Sequence, residues 1–348
     1  RQRQMCIRDS NSFIYLYGNM DMEEKLEFLD SHYLSAFDSL VIDSEIRNQE
    51  AFAQVKDIQK SYPVSEDEGE EDNTYLSYNM VVGEAADINL SLAFEVLDYA
   101  LLSAPGAPLK QALLDAKIGK DIYGSFEDGI KQTYFSIVAK GANLSRKEEF
   151  IKVIRDTLTK IAEEGIDKKA VTAGINYYEF RFREADFSSY PKGLMYGLDI
   201  LSSWLYDDTK PFCEVQLLEG FEFLKKALEE GYFEELIRKY LLGNTHGAIL
   251  SLVPEKGLAA KRDKELEEKL ENYRKSLSDE ELTRMVENTK ALEAYQESEE
   301  DPETLTCIPM LSREDIKKEI TGLTNEEHHV EDSLFLYHDV CTLSLIHI

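Results

Sequence analysis

Residues 174–206, GINYYEFRFREADFSSYPKGLMYGLDILSSWLY, place the strongest constraint on what this chain can fold into. They hold the only tryptophan, Trp204, together with Tyr177, Tyr178, Phe180, Phe182, Phe187, Tyr190, Tyr196 and Tyr206. Residues 167–185 read as a helix that is apolar on more than one side, with Glu179, Arg181, Arg183 and Glu184 interleaved. Tyr190-Pro191-Lys192-Gly193 ends it, because proline lacks a backbone donor and disfavours a helical residue ahead of it. A second helix begins at once, over 193–206. Two such helices need a large partner, so the pattern predicts that they are central to a domain. The plain reading is a core helix pair, since the stretch shows no chemistry of its own.

The rest of the chain supplies that partner. Residues 12–17, SFIYLY, form a β-rich run. Asp21 caps a helix whose apolar face carries Leu26, Leu29, Tyr33, Leu34 and Phe37. Residues 51–64 and 74–83 read as strands, separated by the acidic loop 65–73, SEDEGEEDN. A helix over 86–103 stops at Ala104-Pro105-Gly106-Ala107-Pro108, and a short helix follows over 109–116. Residues 119–126 and 132–139 form an antiparallel hairpin around Glu127-Asp128-Gly129. Asn143 or Ser145 caps a long helix, 146–164, which stops at Gly165. Two amphipathic helices, 214–228 and 232–242, lead to a closing strand, 245–253, before Pro254. This order predicts an α+β domain: an antiparallel-rich sheet with helices packed on one face. From Glu255 onward the composition turns charged. Two helices over 262–296 are broken near Ser276-Leu277-Ser278-Asp279, where Ser278 and Glu281 match a capping box. A charged helical hairpin is expected there.

A length of 348 residues suggests about two domains. The balance of 39 basic against 68 acidic residues, net −29, excludes phosphate backbones and anionic membranes as natural partners. Basic peptides remain compatible with it. No run of 18 apolar residues exists, so no membrane-spanning helix is expected. Cys6, Cys213, Cys307 and Cys341 are widely spaced and contain no C-x-x-C pair, as in a reducing compartment. No signal peptide is recognisable. The expected location is the cytoplasm, or an organellar matrix if a transit peptide preceded the present start. Residues 1–11 and 343–348 read as foreign ends.

A search for chemistry finds little. The histidines are His32, His246, His328, His329, His338 and His347. A zinc protease needs two of them one helical turn apart with a glutamate between, so that both imidazoles meet the metal while the carboxylate activates water. Neither H-E-x-x-H nor H-x-x-E-H is present. His328-His329-Val330-Glu331-Asp332 comes nearest, but Asp332 stands where the second histidine belongs, and the segment reads as a polar linker. His32 and His246 read as structural. The acidic loop lacks the spacing of a calcium site, and Asp207-Asp208 carries no signal among 68 acids. No G-x-S-x-G, P-loop, G-x-G-x-x-G or Cys–His pair is found.

Four long phrases carry a resemblance: 15–40 (YLYGNMDMEEKLEFLDSHYLSAFDSL), 96–143 (VLDYALLSAPGAPLKQALLDAKIGKDIYGSFEDGIKQTYFSIVAKGAN), 175–207 (INYYEFRFREADFSSYPKGLMYGLDILSSWLYD) and 231–247 (GYFEELIRKYLLGNTHG). Together they resemble the presequence-protease branch of the pitrilysin/insulinase zinc metallopeptidases. The resemblance implies a large protein of four related α+β domains in two halves, joined by a helical hairpin and closing into a peptide-digesting chamber. It places 12–49 at the end of a catalytic domain and its connector. It makes 50–255 a non-catalytic second domain, 256–325 the hairpin linker and 326–342 the entry to the next domain. The family's H-x-x-E-H motif and distal glutamate belong ahead of Ser12, and its completing arginine and tyrosine belong after Thr342. No catalytic, cofactor-binding or metal residue is therefore carried over to this chain. Zinc and peptide substrates are expected of the parent protein, and the other domains of that protein are the expected partners. Two further readings stay open: a standalone peptide-binding or partner subunit, and a calcium or metal sensor using the acidic loop 65–73.

Overall fold

The computed structural model describes residues 12–38, 46–299, 302–306, 310, 312–316, 325–330 and 333–338. The chain divides into two compact units, Arg1–Lys256 and Gly257–Ile348. Both ends read as foreign from sequence lie largely outside the described residues.

The first unit is built on strand β2, Thr74–Glu84, because its alternating residues meet two different environments. Leu76, Tyr78, Met80 and Val82 are buried, while Tyr75, Asn79 and Val81 are only partly covered. Four more strands join it: β1 (Lys56–Val64), β3 (Asp121–Glu127), β4 (Gln132–Ala142) and β5 (Gly247–Lys256). Their order is β1-β5-β2-β4-β3. Within this sheet only the β1–β5 pairing is parallel. The expected closing strand thus lies inside the sheet and runs past Pro254, which falls beyond the stretch of β5 paired to β2. A missing amide donor breaks no β2–β5 bond at that position. Strand β1 is an edge and carries Lys56, Lys60 and Pro63, which discourage further strand pairing.

The helices cover one face. Helix α1, Met22–His32, starts at Asp21 as expected, the carboxylate accepting from the Glu24 amide at 3.1 Å. Helix α2, Ile88–Asp98, lies on the sheet and buries Leu90, Leu92, Phe94, Val96 and Leu97. Phe94 is the hub: its ring lies 5.8 Å from those of Phe126, Phe135 and Tyr240. Helix α3 is Pro108–Asp115. Helix α4, Lys147–Glu164, turns Phe150, Ile154, Leu158 and Ile161 inward at helical spacing. Helices α5 (Lys168–Glu184) and α6 (Lys192–Trp204) follow, then α7 (Leu218–Ala227) and α8 (Tyr232–Leu236). The Tyr78 hydroxyl donates to the Leu241 carbonyl at 2.8 Å and ties the sheet to the turn after α8.

Three expectations are corrected. Residues 12–17 form no strand. They lie against α6, with the Phe13 ring 4.8 Å from that of Trp204 and Tyr17 6.0 Å from Tyr196. Gly193 and Gly197 make this approach possible, since a side chain at either would collide with Tyr17 or Tyr15. Second, neither Asn143 nor Ser145 caps α4 through its side chain. The helix is entered through a 3₁₀ turn, and the Asn143 amide bonds Asp72 instead. Third, α5 and α6 are not the centre. Only Val171, Gly174 and Ile175 of α5 are buried, and Leu194 and Leu198 of α6 are exposed. The centre is α2 on β2, whose shorter side chains pack flush on a pleated surface.

The second unit contains helices α9 (Leu258–Ser276) and α10 (Asp279–Glu297), joined at Leu277-Ser278. Ser278 and Glu281 form the expected capping box. Residues 325–338 hold a further departure from expectation. The segment around His328 is not a linker but strand β6 (Asn325–Val330), paired antiparallel with β7 (Ser333–His338). Alternating apolar residues in SLFLYH favour that pairing.

Phe94→Ala should cost the first unit about 3–5 kcal/mol. Urea unfolding followed by circular dichroism checks it, and a loss close to zero would show that Phe94 is not the hub.

Candidate functional site

Two features of the first unit could meet a ligand: the uncovered sheet face and a cavity at one end of the helical layer. The sheet face is ordered by a polar centre. Asn79 donates to Ser77 Oγ at 2.8 Å and to the Ala248 carbonyl at 3.1 Å, and it accepts from Ser136 Oγ at 2.7 Å. These bonds span β5, β2 and β4 and satisfy groups that would otherwise cost about 1–3 kcal/mol each if buried unpaired. Partly covered Tyr75, Tyr134, Val138, Leu250 and Leu252 surround them. The result is a mixed apolar and polar surface without a titratable catalytic group at its centre.

The cavity measures about 290 Å³. Glu95 from α2, Asp128 from the β3–β4 turn, Asp199 from α6 and Glu214 from the α6–α7 connection line it. Helical spacing places Tyr178, Arg181 and Phe182 of α5 on one wall, and Tyr196, Asp199 and Ser202 of α6 on another. The α5–α6 connection adds Asp186 and Phe187. It is a strained link: Ala185 and Ser188 both adopt left-handed backbone angles, φ 46° and 57°, which residues with a Cβ seldom take. The Asp186 carboxylate accepts from the Ser188 amide at 2.8 Å and holds that turn.

Charge in the cavity is unbalanced. Burial first, and then repulsion from Asp128 and Glu214, pushes the Glu95 carboxyl up to about 8. Burial, then Asp128 and Asp199, pushes Glu214 up to about 8. Burial also raises Asp128 and Asp199. Arg181 offsets part of the charge at Glu95, but its guanidinium stands over the Tyr177 ring, 5.6 Å from the centroid. Burial and the negative charge of Glu95 and Asp98 raise the Tyr178 hydroxyl.

The residues singled out from sequence lie elsewhere. Exposed His32 stacks on Phe28 at 4.3 Å. Buried His246 packs edge-on against Phe52 at 4.8 Å, and burial, helped by Lys56, lowers its pKa. His328 and His329 are exposed neighbours on β6, so their side chains leave opposite faces of the hairpin. Glu331 and Asp332 lie outside the described residues, as do Cys6, Cys307 and Cys341. Cys213 is a free thiol. Asp207 accepts from the Thr209 amide and hydroxyl in a local turn. In the acidic loop, Asp72 pairs with Lys120 at 3.6 Å, and the Lys256 ammonium donates to the Glu66 carbonyl. Among the described residues, no three His, Cys, Asp or Glu side chains stand close enough to hold a metal ion. The zinc implied by the resemblance therefore has no fitting ligand set among them.

Sequence reading missed the cavity. The available signal was a single acid within an apolar helical run: Glu95 in LAFEVL and Asp199 in GLDIL. A charged residue at such a position needs either an opening or a partner.

The cavity acids make stability depend on pH. The ordinary value for Glu95 and Glu214 is 4.5, and both rise to about 8 in the fold. The folded protein thus keeps protons that the unfolded chain has released, and stability falls as pH rises through that window. Glu95→Gln should raise the melting temperature at pH 8 and leave it nearly unchanged near pH 4.5. Thermal melts across the range check this, and a parallel shift at every pH would refute it.

Comparison with known proteins supplies the affiliation. Residues 3–178 match the family described as Peptidase M16 inactive domain, and residues 252–347 match the associated domain of subgroup C of the same peptidases. The chain is 43% identical to "Protein HypA" of Clostridium perfringens over 96% of its own length and 34% of that protein's. It is 32% identical to "Presequence protease 1, chloroplastic/mitochondrial" of Arabidopsis thaliana, over 97% of this chain and 32% of that protein. It spans about a third of the length of these relatives. A crystal structure of a protease from Helicobacter pylori shares the fold, with a TM-score of 0.50 and 15% identity over 68% of this chain and 53% of that one. No helix among the described residues is long and apolar enough to cross a membrane. An α+β sheet layered with helices on one face, without a metal-ligand cluster among the described residues, accords with the matched inactive domain, and the chain belongs to the M16 peptidase family.

Proposed function

We propose that this chain is a non-catalytic portion, the wall and hinge, of a zinc metalloendopeptidase that degrades unstructured peptides. The observation that carries this reading is the uncovered sheet face. A pleated surface with its polar centre already satisfied offers backbone-scale relief and apolar side chains without selecting one sequence, which suits a wall that meets many peptides. Residues 12–49 would end the catalytic domain, 50–255 form the second domain, 256–325 link the halves and 326–342 enter the next domain.

Exposed apolar residues support a larger assembly. Leu194, Leu198 and Leu205 lie on α6 and at its end, and Leu266, Leu270 and Tyr273 recur at helical spacing on α9. Such stripes belong against a partner, here the remaining domains of the parent protein. The parent would hold its zinc through residues outside this chain. A reducing compartment, the cytoplasm or an organellar matrix, fits the dispersed thiols. The alternative of a standalone peptide-binding subunit shares the open sheet face but requires no zinc-bearing half.

The purified, tag-free chain should carry no stoichiometric zinc and leave unstructured peptides intact. Elemental analysis and a peptide-digestion assay check both. The reading frame in the source nucleic acid should continue upstream into H-x-x-E-H; a start codon near Ser12 would transfer the proposal to the peptide-binding subunit.

A further inference from the structure

We propose that the cavity between α2, α5, α6 and the β3–β4 turn receives one arginine or lysine side chain of an unstructured peptide. The proposal rests on the reading of this domain as a peptide-handling wall and names the side chain that the wall selects.

The acids of the cavity are not there as members of ion pairs. Glu179, at the neighbouring position to Tyr178, shows the paired alternative: its carboxylate bridges Arg183 and Lys225, each at 2.7 Å, and tethers α5 to α7. Glu95 has no such partner among the described residues. Its carboxyl is enclosed by protein on nearly all sides, the residue lines the cavity, and no hydrogen bond reaches the side chain. Asp128, Asp199 and Glu214 approach the same space and repel one another. A buried carboxylate without a partner is costly, so four of them around one opening make physical sense where a positive charge arrives from outside.

The cavity's shape selects the kind of cation. The acids come from four separate segments, and among the described residues no three converge as metal ligands. Such dispersed charge fits an extended, multiply donating head better than a small ion. Between the acids stand Tyr178, Phe182, Tyr196 and Phe221, which suit a methylene stem and the flat face of a guanidinium. Arg181 is the one resident cation among the described lining residues, and its engagement with Tyr177 leaves the floor open.

The test uses the full 348-residue chain and a fluorescent unstructured peptide with a single arginine. A second peptide carries citrulline there, which keeps the shape and removes the charge. At about pH 9, where the cavity acids are ionised, the arginine peptide should bind at least about tenfold more tightly by fluorescence anisotropy. In the Glu95→Gln/Glu214→Gln double variant that preference should collapse. The comparison between two peptides on one protein keeps the result independent of any change in stability. Equal binding of both peptides to the unaltered chain would overturn the cavity and leave the wall intact. An arginine preference that survives in the double variant would also overturn it. Failure of either peptide to bind would remove both the cavity proposal and the peptide-handling wall.

Discussion

The first unit depends on the entry of β5 between β1 and β2. Strand β5 begins at Gly247, and its partners begin at Lys56 and Thr74. Until the chain has delivered that strand, β1 has no neighbour and the inner edge of β2 is bare. Other long-range bonds fasten the same join: Tyr78 to the Leu241 carbonyl, and the Asn244 amide to the Val81 carbonyl at 2.6 Å. Pairings of such sequence separation carry a large loop-closure cost, which favours helices forming on the β2–β4–β3 portion before the sheet is complete. The dense packing of α2 around Phe94 provides the platform for that step.

The two faces of the sheet divide labour through the two-residue period of a strand. On one face, Leu76, Tyr78, Met80 and Val82 disappear into the core beneath α2. On the other, Ser77, Asn79 and Ser136 bond to one another and hold the register from within. A one-residue slip would exchange the faces and bury that polar set against α2, so the same network that dresses the open surface also specifies the pairing. The acidic cavity obeys a different logic. Its charges are unsatisfied inside the molecule, whereas the acids at local turns and caps, such as Asp21, Asp167 and Asp207, accept from nearby amides.

Much of this architecture was legible in the sequence, and the failures have physical causes. Strong alternation revealed β2 and β4, breakers bounded the helices, and Asp21 and Ser278 announced their caps. The strand order was not legible, because periodicity reports which face a residue occupies and not which strand lies beside it. Residues 12–17 read as a strand because β-branched and aromatic residues favour extended backbone; their rings found a helix with glycines instead of a sheet edge. The capping choice at Asn143 failed because a tertiary partner, Asp72, outcompeted the local one. The cavity stayed hidden because its acids lie on four segments, far apart in a chain that holds 68 acids in all.

The seating of the 12–17 segment on α6 has a practical consequence for anyone dividing this protein into pieces. Gly193 and Gly197 leave a furrow in the helix that the rings of Tyr15 and Tyr17 fill, with Phe13 shielding Trp204 at its end. A fragment begun at the first regular helix would present that furrow bare beside the exposed Leu194 and Leu198. The cut would create a sticky surface on an otherwise highly charged molecule. A cloning boundary drawn from secondary structure alone would thus yield an aggregating product, although it removes no strand and no helix.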